Sequence, residues 1–204
     1  MNHDRLQALT DGIFAIAMTL LVLDLRVPVI DGATNQSLWH ALSANGATFV
    51  SYVISFSVLF ITWRGHNFTV STMAKNLDAN LVNLNILYLA VIALVPFTTH
   101  LLGAYPKTQL AVVIYAFNIL LISGTMLAMR EYIVRSENIE HDPRTRDQTI
   151  NAYVRIWSIL GTAILSIVLS FINPRLGFAV LLFGVGINLL NNTAEILRRI
   201  FKIK

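Results

Sequence analysis

The stretch Arg5–Pro28, RLQALTDGIFAIAMTLLVLDLRVP, decides the fold because it is apolar in the middle and polar at both ends. Residues 12–23 form an apolar run that only Thr19 interrupts, and Asp11 and Asp24 flank it. These residues are fewer than the roughly 20 that a lipid-facing transmembrane helix requires. The polar ends must therefore be covered by protein or reached by water. The stretch predicts a membrane helix that lies inside a bundle or along a pore.

The composition of the whole chain points to the membrane as well. Of its 204 residues, 55% are hydrophobic and 13% are charged, whereas soluble domains carry about 25% charged residues. This predicts a multi-pass membrane protein in contact with the lipid bilayer. There is no cysteine, which excludes disulfides and thiolate metal sites.

Six apolar segments predict one all-α domain over residues 1–204, an integral membrane protein with six transmembrane helices. Each segment is long enough to cross a bilayer at about 1.5 Å per residue. The predicted helices lie at about 9–27, 38–63, 78–102, 108–130, 151–172 and 176–198.

The basic residues predict the orientation of these helices. One side of the predicted bundle carries only Arg26, Lys107 and Arg175, and the other twelve of the 15 lysines and arginines lie on the opposite side. Because cytoplasmic loops are enriched in Lys and Arg, we expect both termini in the cytoplasm. The net charge of +4 is thus a topology signal, with no nucleic-acid partner predicted, and the basic tail at 198–204 is open to contact with anionic lipid.

Catalytic and metal-binding patterns are missing from the sequence. The five histidines have no ligand spacing such as HExxH, and there is no GxSxG elbow or phosphate loop. The acids within the apolar segments lie near helix ends, whereas a proton-relay pump places an acid near mid-membrane. We therefore expect no enzyme activity, no cofactor and no fixed metal site.

One stripe of the first helix is apolar apart from Thr19. Gly12, Ile16, Leu20 and Leu23 recur at i, i+4, i+8 and i+11, which places them on one side at about 100° per residue. Taken alone, such a stripe is typical of ordinary helix packing. The polar start of the helix favours a pore-lining interpretation.

The segment RLQALTD at 5–11 resembles the Arg-x-x-x-Phe-Ser-Asp signature of the transmembrane protein 175 family, the endosomal and lysosomal potassium channels and their prokaryotic relatives. Leu9 replaces the aromatic residue of the signature, and Thr10 keeps the hydroxyl of its serine. The following GIFAIAMTLLVLDLRVP is similar to the first helix of the prokaryotic branch. The six predicted helices, the length and the WRGHN cluster at 63–67 extend the resemblance.

The resemblance implies a prokaryotic cell-membrane protein with one six-helix unit per chain, assembled as a homotetramer. It implies a pore that is lined by the first helices and conducts potassium and other monovalent cations. The constriction falls on Ile16, further hydrophobic layers fall on Leu20 and Leu23, and an ion-contacting threonine layer falls on Thr19. A permeating K⁺ would pass near Ile16 and Thr19.

The family signature also implies a polar network that anchors the first helix. A buried carboxylate needs partners, and Asp11 is the acid that the signature places near the helix start. The expected members of the network are Arg5, Thr10, Asp11, Trp63, His66 and Asn67, with Asn83 or Asn85 as further partners. For the histidine and asparagines, solvation of helix ends is the alternative.

The sequence therefore predicts a potassium-permeable cation channel with a hydrophobic constriction. A narrow apolar neck closes to ions by dewetting, and the TVGYG filter of ordinary potassium channels is missing. Two alternatives remain open. A secondary transporter would show inverted repeats and broken helices, of which Pro96 in the third segment is the one clear proline interruption. A non-conducting membrane scaffold would show no ion flux.

Overall fold

The computed structural model describes residues 3–74, 76–137, 139 and 146–189, and the regular elements of these residues are all helices. A 3-10 segment, Leu21–Asp24, extends the first helix, and a π-helical segment, Phe68–Met73, extends the third. The helices are α1 (His3–Leu20), α2 (Asn35–Ala44), α3 (Gly46–Asn67), α4 (Ala79–Ala93), α5 (Val95–Ala104), α6 (Gln109–Arg135), α7 (Arg146–Ser170) and α8 (Pro174–Leu189).

Five helical stretches of the described chain are long and apolar enough to cross a membrane. They run over His3–Asp24, Gly46–Ser71, Ala79–Ala104, Gln109–Arg135 and Ile150–Ser170, and Pro174–Leu189 is a shorter apolar helix. This is a multi-pass architecture. The end of the sixth predicted segment, at 190–198, and the basic tail at 198–204 lie outside the described residues.

The second predicted segment, at 38–63, is divided between two helices. Thr34 caps α2, accepting a hydrogen bond from the Ser37 backbone N–H, while Ser37 Oγ accepts from Thr34 N–H. The helix ends before Asn45, and none of its residues is buried. The stretch that is long and apolar enough to cross a membrane begins after α2, at Gly46.

The third predicted segment, at 78–102, breaks at Leu94 into α4 and α5. Pro96 has no backbone N–H and cannot donate to the carbonyl of Ile92, so the regular ladder stops there. Other groups take over: Asn118 Nδ2 donates to Val91 O at 3.1 Å. Thr98 and Thr99 each donate a hydroxyl to the carbonyl of Val95. The break is thus satisfied internally, as a polar backbone inside a membrane protein must be.

The core lies around α6, which packs against α4, α5, α7 and α8. Close packing of α7 on α8 depends on small residues. A side chain at Gly184 would meet Thr162 Cγ2 at 2.1 Å, so any larger residue there would push the helices apart. At the opposite edge of the bundle, α1 packs against α3, α4 and α5. The helix that carries the signature is therefore covered on one side only.

Candidate pore helix and its anchor

The helix α1 has a buried face that the apolar stripe does not share. Its buried residues recur every three or four positions and lie on one side of the helix. They are Leu6, Thr10, Phe14 and Ala17, followed by Leu21 in the 3-10 segment. This face is the one that packs on the bundle.

The predicted stripe lies on the opposite, uncovered face of α1. Ile16 is 60% exposed and Leu23 is 67% exposed, with Leu20 at 44% between them. At about 100° per residue, Ile16 points more than a right angle away from Phe14 and Ala17. The stripe is therefore apolar surface that the protomer leaves for lipid, for another chain or for a pore.

Thr19 lies at the margin of the exposed stripe. Its Oγ1 donates to the carbonyl oxygens of Ala15 and Ile16, both at 2.9 Å. Because the hydroxyl proton is used within the helix, the lone pairs of Oγ1 remain as acceptors. The Thr19 side chain is also exposed.

Asp11 and Trp63 form a direct hydrogen bond between α1 and α3. The indole Nε1–H donates to Asp11 Oδ1 at 2.8 Å, and both side chains are partly buried. A charged acceptor makes this a stronger bond than a neutral pair would. It fixes the middle of α1 against the C-terminal end of α3.

A second, fully buried group continues the contact into α4. His66 Nε2 is hydrogen-bonded to Asn85 Oδ1 at 2.5 Å, and the imidazole is stacked on Tyr88 with ring centroids 5.2 Å apart. The Tyr88 hydroxyl donates to Thr62 O at 3.3 Å, and the Tyr88 and Phe14 ring centroids are 6.1 Å apart. We call Asp11, Phe14, Trp63, His66, Asn85 and Tyr88 the anchor cluster.

The other predicted network residues are placed differently. Asn67 Oδ1 accepts from Gln7 Nε2 at 3.4 Å, and Gln7 Oε1 accepts from Ser71 Oγ at 3.2 Å. The buried Thr10 hydroxyl donates to Leu6 O, within its own helix. Arg5 is exposed on α1. Of the two asparagines expected as further partners, Asn83 is exposed, whereas Asn85 is buried and joins the cluster.

The sequence profile described as "Endosomal/lysosomal potassium channel TMEM175" matches residues 5–96. A potassium channel from Streptomyces collinus is 35% identical over 186 residues, which cover 88% of each chain. The chain belongs to the TMEM175 family. The matched residues 5–96 contain the exposed stripe and every member of the anchor cluster.

Solved structures share the TMEM175 fold. A lysosomal potassium-selective channel TMEM175 homologue from Chamaesiphon minutus superposes with a TM-score of 0.76 at 25% identity, over 91% of this chain and 95% of that one. The potassium channel MtTMEM175 has a TM-score of 0.58 at 18% identity, over 98% and 94% of the two chains, which shows the fold alone. The mouse relative, named a proton channel, is 29% identical over 52% of this chain and 22% of its own length.

Some residues of the TMEM175 site were not found from the sequence. Tyr88 lies three residues after Asn85, a helical spacing that puts both on one face of α4 and was available as a signal. Arg130, counted above among the basic loop residues, is instead buried in α6 and donates from Nη2 to Gly65 O at 3.4 Å. Its guanidinium also lies over the Phe68 ring, so it packs where α3 changes to the π-helical segment. No local pattern marks such an arginine as buried.

Metal ligands are sparse in the described part of the chain. No three His, Cys, Asp or Glu side chains of residues 3–74, 76–137, 139 and 146–189 lie close enough together to hold a metal ion.

Proposed function

We propose that this chain is the protomer of a homotetrameric, potassium-permeable channel whose pore is lined by α1. Membership of the TMEM175 family supports conduction of potassium, since the curated prokaryotic relatives are named potassium channels. The observation that carries the pore assignment is the stripe of Ile16, Leu20 and Leu23, which is exposed while the opposite face of the same helix is buried.

In this proposal the stripe forms the constriction. Four Ile16 side chains that converge on an axis make an apolar neck from which water withdraws, and the neck then blocks hydrated ions. Leu20 and Leu23 continue the neck along the helix, at about 1.5 Å rise per residue. Opening requires the helices to move apart or rotate so that water enters.

Thr19 has the role of an ion contact. A cation that loses part of its hydration shell needs oxygen ligands in its place. The Thr19 hydroxyl already donates to its own helix, so its oxygen is oriented to accept. Any preference for potassium over sodium depends on this layer, because the sequence has no TVGYG filter.

The anchor cluster has a structural role in the same proposal. Asp11 and Phe14 lie on α1 and hold it against Trp63 and Tyr88 of the bundle. This fixes the rotation of α1 about its own axis. The stripe then faces away from the protomer, towards the other copies.

Liposome flux of purified protein tests this function. Passive, uncoupled potassium flux supports a channel, with valinomycin and empty liposomes as references. Flux that needs a second, co-transported ion supports a secondary transporter, and no flux in correctly assembled protein supports a scaffold.

The proposed orientation has its own test. With both termini in the cytoplasm, a reporter fused after Lys204 is cytoplasmic, and a tag inserted at Asn35 is outside. Finding both on one side of the membrane would overturn the six-helix topology.

A further inference from the structure

Beyond the Gln7 hydrogen bonds, the helix α1 is attached to its neighbours at two further heights. Near its middle are the Asp11–Trp63 hydrogen bond and the Phe14–Tyr88 contact. At its far end, Asp24 Oδ1 lies 2.8 Å from His100 Nδ1 on α5. Residue numbers rise in the same direction along α1 and along α4–α5, so the two run in parallel.

The helices α1 and α4–α5 both depart from regular α-helical geometry at the same height. Six residues beyond the Phe14–Tyr88 contact, α1 reaches Leu20, after which it winds as a 3-10 segment. Six residues beyond the same contact, α4–α5 reaches Leu94, where it breaks. Both positions lie about 9 Å above the contact along a regular helix.

The break at Leu94 is built as a stable feature. Asn118 Nδ2 donates to Val91 O, and the Thr98 and Thr99 hydroxyls donate to Val95 O. Beyond the break, α5 is held by its neighbours: Thr99 Oγ1 lies 2.7 Å from Ser55 Oγ on α3, and Thr98 Oγ1 lies 3.3 Å from Asn118 Oδ1 on α6. The helix α5 is therefore a fixed support beside the end of α1.

The hydrogen bond at the far end joins the two segments beyond these breaks. A carboxylate only accepts, so His100 Nδ1–H donates to Asp24. The bond connects the 3-10 segment Leu21–Asp24 to α5, while the anchor cluster connects α1 to α3 and α4. Ile16 lies on the part of α1 that the anchor cluster holds, and Leu23 lies on the 3-10 segment that is bonded to His100.

We propose that His100 is a positioning residue for the pore: through Asp24 it holds the 3-10 segment Leu21–Asp24 against α5. The proposal rests on the pore assignment above and names the element that sets the far end of the pore. Neither the family assignment nor the exposed stripe by itself gives His100 this role.

The direction of the effect follows from the two faces of α1. Asp24 follows Leu21, a residue of the buried face, and is bonded towards the bundle. Leu23 lies on the opposite, exposed face. The bond therefore holds Leu23 away from the axis. Its loss lets the 3-10 segment move inwards and narrows the pore at Leu23.

Flux measurements test this with matched variants. His100→Ala should lower potassium flux about fivefold, as the loss of one hydrogen bond of ordinary strength does. His100→Asn, whose Nδ2 takes the place of Nδ1, should restore most of the flux. Asp24→Ala should equal His100→Ala, and the double variant should lower flux no further, since both remove one bond. His40→Ala, an exposed histidine on α2, is the control and should match wild type.

A second measurement is independent of conduction. The chain has no cysteine, so Leu23→Cys carries a single thiol whose modification rate by a water-soluble reagent reports the width of the pore there. We expect the rate to fall when His100→Ala is added and to recover with His100→Asn. If wild type does not conduct but the rate still falls, the channel function fails and the positioning role stands. Unchanged or increased flux and modification in folded His100→Ala, or equal behaviour of the Asn and Ala variants, would overturn the proposal.

Discussion

The anchor cluster and the exposed stripe lie on the same helix and have opposite requirements. Asp11 finds its partner within the chain, in the Trp63 indole, and the nearby His66 finds Asn85. Ile16 and Leu23 have most of their surface uncovered in the protomer. The comparison shows that one face of α1 is covered within the chain and the other is not, and the proposed function has the second face covered by assembly. Changes in the cluster should therefore alter stability, and changes in the stripe should alter conduction.

The largest effect is expected at the neck. Ile16→Asn offers hydrogen bonds to water in the closed pore and should raise basal potassium flux on the order of tenfold or more, equivalent to a barrier lower by about 1.4 kcal/mol. Ile16→Ala should raise it less. Liposome flux measures both, and Ile164→Asn, an equally exposed isoleucine on α7, is the control. A leak as large in the control would show that any polar substitution in the membrane is enough.

The buried half of the anchor cluster should give the largest loss of stability. Asn85→Leu leaves the His66 imidazole without its partner, so the free energy of unfolding should fall by about 1–3 kcal/mol. Asn83→Leu, on the exposed face of the same helix, should cost little. Thermal unfolding in detergent measures the difference. Equal stability of the two variants would contradict the structural role of the cluster.

Substitutions in the partly buried half of the anchor cluster, Asp11 and Trp63, should lower the free energy of unfolding by less. Asp11→Ala removes the acceptor of the Trp63 indole and should impair folding or assembly, at the lower end of the range of roughly 1–3 kcal/mol, because both side chains are only partly buried. Trp63→Phe removes the same bond from the other side, and Asp4→Ala, an exposed acid of α1, is the control. Size-exclusion profiles and unfolding curves report the result. A fully stable, normally assembled Asp11→Ala protein would show that this bond is not structural.

The smallest effect is expected at Thr19. Thr19→Val keeps the shape and removes the hydroxyl, so the preference for potassium over sodium should fall while stability and the closed state are kept. Thr125 is a close match because it too donates to the carbonyls three and four residues before it, so Thr125→Val controls for the loss of such a bond. Reversal potentials under mixed-ion conditions measure selectivity. The same preference in wild type and Thr19→Val would remove Thr19 from the ion path.

The all-α membrane fold and the family could be predicted from the sequence because both depend on local features: long apolar segments and a signature at the start of the chain. The break at Leu94 was signalled by Pro96, but the donor Asn118 comes from α6 and could not be paired with the break by spacing. Composition did not reveal that α2 ends before Asn45 or that none of its residues is buried.

The candidate site could likewise be predicted from the sequence only in part. Periodicity found the stripe of Ile16, Leu20 and Leu23, yet α1 has a second stripe, with Leu6, Phe14 and Leu21, that is as apolar. Sequence alone could not say which of the two faces the bundle, and only the packing of α3, α4 and α5 decides it. The choice of Asn85 over Asn83 was likewise open until the buried side of α4 was known.

The central claim is that the exposed stripe of α1 meets its own copies around a pore. The absence of native cysteine allows a direct test with Ile16→Cys and, as control, Ile164→Cys. On oxidation, the account predicts disulfide-linked dimers for Ile16→Cys, and block of potassium flux by a thiol reagent. It predicts neither for Ile164→Cys. If Ile16→Cys conducts, stays unlinked and is insensitive to the reagent, the pore does not run along this face of α1.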